Sequence, residues 1–171
     1  MMEKVTNKIK KCFKTDNYKV GQLIDSKEKV KWLPLLLCWP PDKYFGIAEN
    51  GCWVVEGAEG MRWLDSPNEY WRIKVLMERS LDDVQTEFNK NLGTNNIDEL
   101  KFPYIYILSE VFVNDTNYWV ERAFSWFDTI PIKEKKLLIM ELEILKNKKS
   151  LSQKLRHRAL KEQAQLKKLQ L

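Results

Sequence analysis

The chain has 171 residues, of which 44% are hydrophobic and 31% charged, with 29 Lys and Arg against 24 Asp and Glu. That length suits one domain with at most an appendage, and the composition excludes a disordered or fibrous chain. The net charge of +5 is segregated: residues 1–31 hold nine Lys against four acids, residues 32–130 eight basic residues against sixteen acids, and residues 131–171 twelve against four. The chain therefore reads as a basic N-terminal flank (1–31), an aromatic acidic α+β core (32–130) and a basic helical C-terminal segment (131–171).

Met1 to Phe13 carries positive charge but no continuous apolar stretch and no small-residue cleavage pattern, so no signal peptide is expected. The longest apolar run, Trp32 to Trp39, has eight residues and contains Pro34, whereas a spanning helix needs about 20. It reads as core or a binding edge. Eighteen of the twenty aromatic residues lie between Trp32 and Phe127, which places the aromatic core in the middle of the chain.

From Leu33 to Met77 short apolar runs alternate with turn signals at Pro40-Pro41-Asp42, Glu49-Asn50-Gly51, Gly57 to Gly60 and Asp65-Ser66-Pro67, the pattern of a small antiparallel sheet. Asn50-Gly51 predicts a hairpin whose two central residues have positive φ. Alternation of Trp71, Ile73, Val75 and Met77 with polar neighbours predicts a strand over 71–77. The competing reading is a helix begun by Ser66-Pro67-Asn68-Glu69.

Helices follow. Ser80 caps one with the stripe Leu81, Val84, Phe88 and Leu92, ended by Gly93 in the left-handed region. Pro103 to Val113 reads as a buried helix, and Asp115 or Thr116 caps another through Phe127. Pro131 starts a helix holding Leu137 to Leu145, expected to be buried on more than one side. Asn147-Lys148-Lys149 interrupts it, and Ser150-Leu151-Ser152-Gln153 opens a last helix as a capping box. Its apolar stripe of Leu151, Leu155, Ala159, Leu166 and Leu169 is thin, so it is expected to be dispensable for folding.

The chemistry is bounded by what is missing. His157, between Arg156 and Arg158, is the only histidine, so neither a Ser–His–Asp nor a Cys–His arrangement is expected in the aromatic body. Cys12, Cys38 and Cys52 lack CxxC spacing and form neither a disulfide framework nor a zinc set. They point to a reducing, cytoplasmic compartment, with Cys38 as a buried hydrophobe and Cys12 activated by its lysines only if exposed. Gly57-Ala58-Glu59-Gly60 lacks a following Lys-Ser or Lys-Thr and is no phosphate loop. Asp83 with Glu99-Leu100-Lys101 is a loose match to a metal-nuclease pattern, and Glu56 with Glu59 to a glycosidase pair; solvated acids explain both better. No cofactor and no metal site is called for.

Tryptophan is the positive signal. Trp53, Trp63 and Trp71 lie near turns, and Trp is a residue type enriched at interface hot spots. With Glu56, Glu59 and Asp65 they form the expected protein-binding surface, acidic and aromatic, suited to another protein and better matched by a basic protein or peptide than by nucleic acid. The leading reading is a non-catalytic cytoplasmic binding protein: an adaptor, inhibitor or immunity-type partner. The alternative is a nucleic-acid-associated protein whose C-terminal helix contacts phosphates through Lys148, Lys149, Lys154, Arg156, Arg158 and Lys161. A carboxylate-dependent hydrolase stands third.

Overall fold

The computed structural model describes residues 9–11, 13, 18–39, 42–95, 97 and 100–169. Cys12, Pro40, Pro41 and Glu99 lie outside these residues. The protein is α+β, an antiparallel sheet followed by helices, and it divides into two compact units. Unit 1 comprises 1–76 and 82–102; unit 2 comprises 77–81 and 103–171.

Unit 1 is built on five antiparallel strands in sequential order: β1 (Lys19–Gln22), β2 (Lys29–Trp39), β3 (Lys43–Ala48), β4 (Trp53–Gly57) and β5 (Gly60–Trp63). Sequential strands joined by short turns favour this up-and-down arrangement. The sheet curls into a half-barrel, and the Ile24 amide donates to the Met61 carbonyl at 3.0 Å, bringing the end of β1 back to β5. The β2–β3–β4 pairing sets Trp32 opposite Ala48 and Gly46 opposite Val54, which puts them on the inner face. There Leu23, Val30, Trp32, Ala48, Val54 and Met61 form a buried cluster. Gly46 is needed beside it, because a Cβ there would stand 2.0 Å from the Leu33 carbonyl oxygen and 2.8 Å from the Trp32 ring. Pro34 is tolerated because β1 pairs only with residues 29–32 of β2, leaving the missing N–H without a ladder partner on that side.

The outer face of the sheet carries Phe45, Ile47, Trp53 and Val55. Helix α1 (Leu81–Thr94) covers part of it: Phe88 lies 6.0 Å from the Trp53 ring and 5.4 Å from Phe102, and Asn91 Nδ2 donates to the Leu35 carbonyl at 2.6 Å. The expected stripe Leu81, Val84, Phe88 and Leu92 is buried throughout. Gly93 does not end this helix, which continues to Thr94, and it is absent from the residues with positive φ.

The expected hairpin at Asn50-Gly51 joins β3 to β4, but through a different turn. Gly51 N–H donates to the Ala48 carbonyl at 2.9 Å and Gly51 alone of the pair has positive φ, +86°. This is a type I turn followed by a left-handed glycine, and Asn50 Oδ1 accepts from the Cys52 amide at 3.0 Å.

The strand expected over 71–77 is corrected. Pro67–Glu78 is a 3-10 helix of twelve residues. Of its four buried residues, Tyr70, Ile73 and Leu76 recur every third position and Met77 adjoins the last, which matches three residues per turn. Pro67 supplies the start, and the Glu69 amide donates to the Ser66 carbonyl at 3.0 Å.

Unit 2 is helical: α2 (Tyr104–Asn114), α3 (Asn117–Thr129), α4 (Ile132–Lys135), a 3-10 turn (Lys136–Leu138), α5 (Ile139–Asn147) and α6 (Gln153–Lys168). Ile107, Leu108, Val111 and Phe112 of α2 and Val120, Ala123, Phe124, Trp126 and Phe127 of α3 are its aromatic-rich core, with Phe112 and Phe124 rings 5.0 Å apart. The Trp126 indole N–H is satisfied by the Arg79 carbonyl at 2.8 Å. The stretch from Leu137 to Leu145 is buried on one side only: Leu138, Leu142 and Leu145 face inward, while Leu137, Met140 and Ile144 are exposed. Across the 3-10 turn and α5 the two sets fall on opposite sides, so the apolar content of this stretch overstated its burial.

The last helix is not an appendage. Leu151, Leu155, Ala159 and Leu166 are all buried, while Leu169, the last residue of the expected stripe, is exposed just past the helix end; polar anchors hold the helix as well. Ser152, not Ser150, is the N-cap, accepting from the Leu155 amide at 3.4 Å, while its own amide donates to Asn117 Oδ1 at 2.8 Å. Glu143 of α5 bonds Gln163 and pairs with Lys146 at 2.6 Å. The Lys146 and Gln163 bonds hold its carboxyl down at about 2, well below the ordinary 4.5.

Candidate functional site

An open cleft of about 440 Å³ lies within unit 1, at the end of the half-barrel where the β4–β5 turn projects. Its sheet wall is set by register. Trp39 pairs with Lys43, and Val55 with Arg62. Phe45, two residues beyond Lys43, pairs with Val55. Residues paired directly, or two apart on a strand, share a face, so Trp39, Lys43, Val55 and Arg62 all belong to the outer face. Glu56, one residue on, belongs to the inner face.

The second wall comes from the 3-10 helix, which contributes Trp71 and Arg72. Ile24, Glu56 and the turn Gly57-Ala58-Glu59 complete the lining. Trp39 is 49% exposed and Trp71 45%, the two most exposed tryptophans of the described chain. Neither is held in the cluster that fills the barrel. The Arg72 guanidinium lies 4.5 Å from the Trp71 ring centroid, a cation–π contact that orients both groups.

The electrostatics of the cleft are mixed. Lys43, Arg62 and Arg72 each have a carboxylate partner outside the lining: Asp42 at 3.6 Å, Asp25 at 3.4 Å and Glu69 at 2.6 Å. The Asp42 and Asp25 side chains are 66% and 82% exposed, and pairs of that kind contribute about 0–1 kcal/mol. Glu59 stands exposed on the turn. Glu56 Oε2 is enclosed without a hydrogen-bond partner among the described residues.

The residues expected to form one acidic and aromatic surface are thus partly gathered. Trp71, Glu56 and Glu59 line the cleft. Trp53 is turned into the outer-face packing, its ring 5.0 Å from Phe45. Trp63 packs against the inner cluster and borders a second depression of about 320 Å³ with Lys29, Lys31 and Glu49. Asp65 is exposed just beyond β5 and does not line the cleft. Trp39, Lys43 and Arg62 are the functional candidates that sequence reasoning passed over. The available signal was Trp39 at the end of an apolar run immediately before two prolines, a position where a strand ends and a large side chain is left uncovered.

The basic C-terminal residues are divided in a similar way. Lys148 Nζ donates to the carbonyls of Val113 and Asp115, at 2.9 and 2.8 Å, and so caps the C-terminal end of α2. Burial there pulls its ammonium below its ordinary range, against the opposing charges of Asp115 and Glu110. Arg158 forks onto Asp128 at 2.6 and 2.7 Å and lies 4.2 Å over the Phe124 ring. Lys149, Lys154 and Lys161 are exposed, and Arg156 is half-buried. His157 is exposed on α6, Cys38 is buried and Cys52 is exposed.

Among the described residues, no three His, Cys, Asp or Glu side chains converge as a metal set, and no helix is long and apolar enough to cross a membrane. No family model, no curated protein and no solved structure matches the chain.

Proposed function

We propose that the chain is a non-catalytic cytoplasmic protein-binding module that holds its partner in the cleft of unit 1. The observation that carries this reading is the pair of exposed tryptophans, Trp39 and Trp71, bordering a cleft of about 440 Å³. Exposed Trp beside a concavity is what an interface anchor requires: large apolar area, few rotatable bonds and a polar N–H at one edge. Arg72 over Trp71 adds a second hot-spot residue type already in place.

The nucleic-acid reading draws less support, because Lys148 and Arg158 are committed to the α2 end and to Asp128. Lys149, Lys154 and Lys161 remain for it, with half-buried Arg156, whose Nε has no hydrogen-bond partner among the described residues. The test is recovery of the partner from the native cell at about 50 and 200 mM salt, with and without nuclease, the range over which phosphate contacts weaken steeply. Binding of the recovered partner should survive salt and nuclease, and a Trp39→Ala/Trp71→Ala variant should lose about 2 kcal/mol or more of affinity, as anchors do. Loss of binding in a Lys149→Glu/Lys154→Glu/Lys161→Glu variant, with the tryptophan variant unaffected, would move the function to the C-terminal helix.

A further inference from the structure

We infer that unit 2 docks on an anionic lipid surface through the outer side of α5 and α6, independently of the cleft in unit 1. The apolar part of this surface is the exposed side of the stretch that buries Leu138, Leu142 and Leu145. Leu137, Met140 and Ile144 are 65%, 70% and 47% exposed there, and Lys133, one turn earlier, is exposed as well. α6 packs antiparallel beside α5: Lys146 Nζ meets Gln163 Oε1 at 3.0 Å, and at the other end Lys136 Nζ reaches the Leu169 carbonyl at 2.7 Å. On α6, His157, Lys161, Ala164 and Lys168 follow helical spacing and are all exposed, opposite buried Leu155, Ala159 and Leu166. Leu160, 50% exposed, adds an aliphatic side chain next to Lys161.

Charge on this surface is not balanced from within. Lys133, Lys161 and Lys168 have no carboxylate partner among the described residues. The four acids of residues 131–171 are half-buried. Glu134 accepts from the Tyr104 hydroxyl, and Glu141 accepts from Ser109 Oγ at 2.8 Å with its other oxygen enclosed. Glu143 is held by Gln163, Lys146 and Lys167. Glu162 is four residues from Arg158, on the side of α6 that meets Asp128.

A bilayer suits this surface better than a protein does. Interface anchors are mainly Trp, Tyr and Arg, with Leu under-represented, and no aromatic residue follows Phe127. A second copy would set the same unpartnered lysines against themselves. Aliphatic side chains flanked by lysines suit the interfacial zone: the former enter the acyl boundary, and the latter meet anionic headgroups. The helices lie on such a surface, since none of those described is long and apolar enough to cross it.

The experiment sediments the full chain with vesicles of phosphatidylcholine alone and with vesicles containing about 30% phosphatidylserine, which supply the negative surface potential. The chain should sediment with the second and stay in solution with the first. Leu137→Gln/Met140→Gln/Ile144→Gln should weaken binding about tenfold or more, since buried apolar area sets interfacial affinity. Lys133→Gln/Lys161→Gln/Lys168→Gln should weaken it about a hundredfold, at about fivefold for each lysine near the surface. All six side chains are exposed, so near-UV circular dichroism of both variants should match the parent. Failure to sediment with the anionic vesicles, equal sedimentation with both kinds, or binding indifferent to the three glutamines on the aliphatic side would overturn the proposal. So would a dimer in analytical ultracentrifugation that those glutamines separate, which would make the surface an interface between copies.

Discussion

Removing the last helix should unfold unit 2, contrary to what its thin stripe and dense positive charge suggest. A chain ended after Asn147 loses Leu151, Leu155 and Leu166, which are 5%, 2% and 3% exposed, together with fully buried Ala159. At about 2 kcal/mol for each buried leucine the loss is about 6 kcal/mol, against a total of about 5–15 kcal/mol for a typical domain. The same cut removes Lys148 from the Val113 and Asp115 carbonyls and Arg158 from Asp128, leaving the α2 end and a surface carboxylate without their partners. The assay is urea unfolding of the shortened and full chains, read by near-UV circular dichroism and by hydrogen exchange of the Trp126 indole, which in the full chain donates to Arg79. The shortened chain should show an unprotected Trp126 indole in the absence of urea. In the full chain, Leu155→Ala should lower stability by about 2–5 kcal/mol. A shortened chain that unfolds cooperatively at the full-chain midpoint, with Trp126 still protected, would refute this account of α6.

Gly46→Ala should cost more stability than Gly21→Ala, as compared by thermal unfolding: the added Cβ meets the Leu33 backbone oxygen at 2.0 Å in the first case and the movable Met61 side chain in the second. Lys148→Met should destabilise by about 1–2 kcal/mol through two uncapped carbonyls, measured by urea titration. Glu143 has its folded-state value depressed to about 2 from 4.5, chiefly by Lys146 and then Gln163, so its contribution is present above about pH 4.5 and is lost as pH falls toward 2. Glu143→Gln should flatten the decline of the unfolding midpoint across that window. A thiol reagent should label Cys52 in the folded protein and reach Cys38 only on unfolding, as peptide mapping of the modified chain will show.

The comparison of sequence with structure turns on particular elements. The α1 stripe of Leu81, Val84, Phe88 and Leu92 was legible because its 3.6-residue period runs for three turns without competition. Residues 67–78 carry two periods, and the 3-10 helix that forms there buries Tyr70, Ile73 and Leu76 at intervals of three, with Met77 beside the last. The cleft was half legible: Trp71 stood out as a tryptophan near a turn, whereas Trp53, with the same local signature, is covered by Phe45 and Phe88. Nothing local separates the two, since exposure depends on what the rest of the chain lays over each ring.

By itself, the sequence determined the α+β class, the order of a turn-rich sheet before helices, the hairpin at Asn50-Gly51 and the breaks near Pro131 and Asn147. These rest on short-range causes: period, capping and the φ that each residue tolerates. Only the tertiary structure decided which tryptophans meet solvent, which lysines and arginines are spent on carbonyls and carboxylates, and on which face each charge lies. A one-residue change of register would exchange Arg62 for Met61 and Glu56 for Val55, and the register is held by the burial of Val54 and Met61 in the inner cluster. Which charges meet at the cleft is therefore a property of the folded sheet.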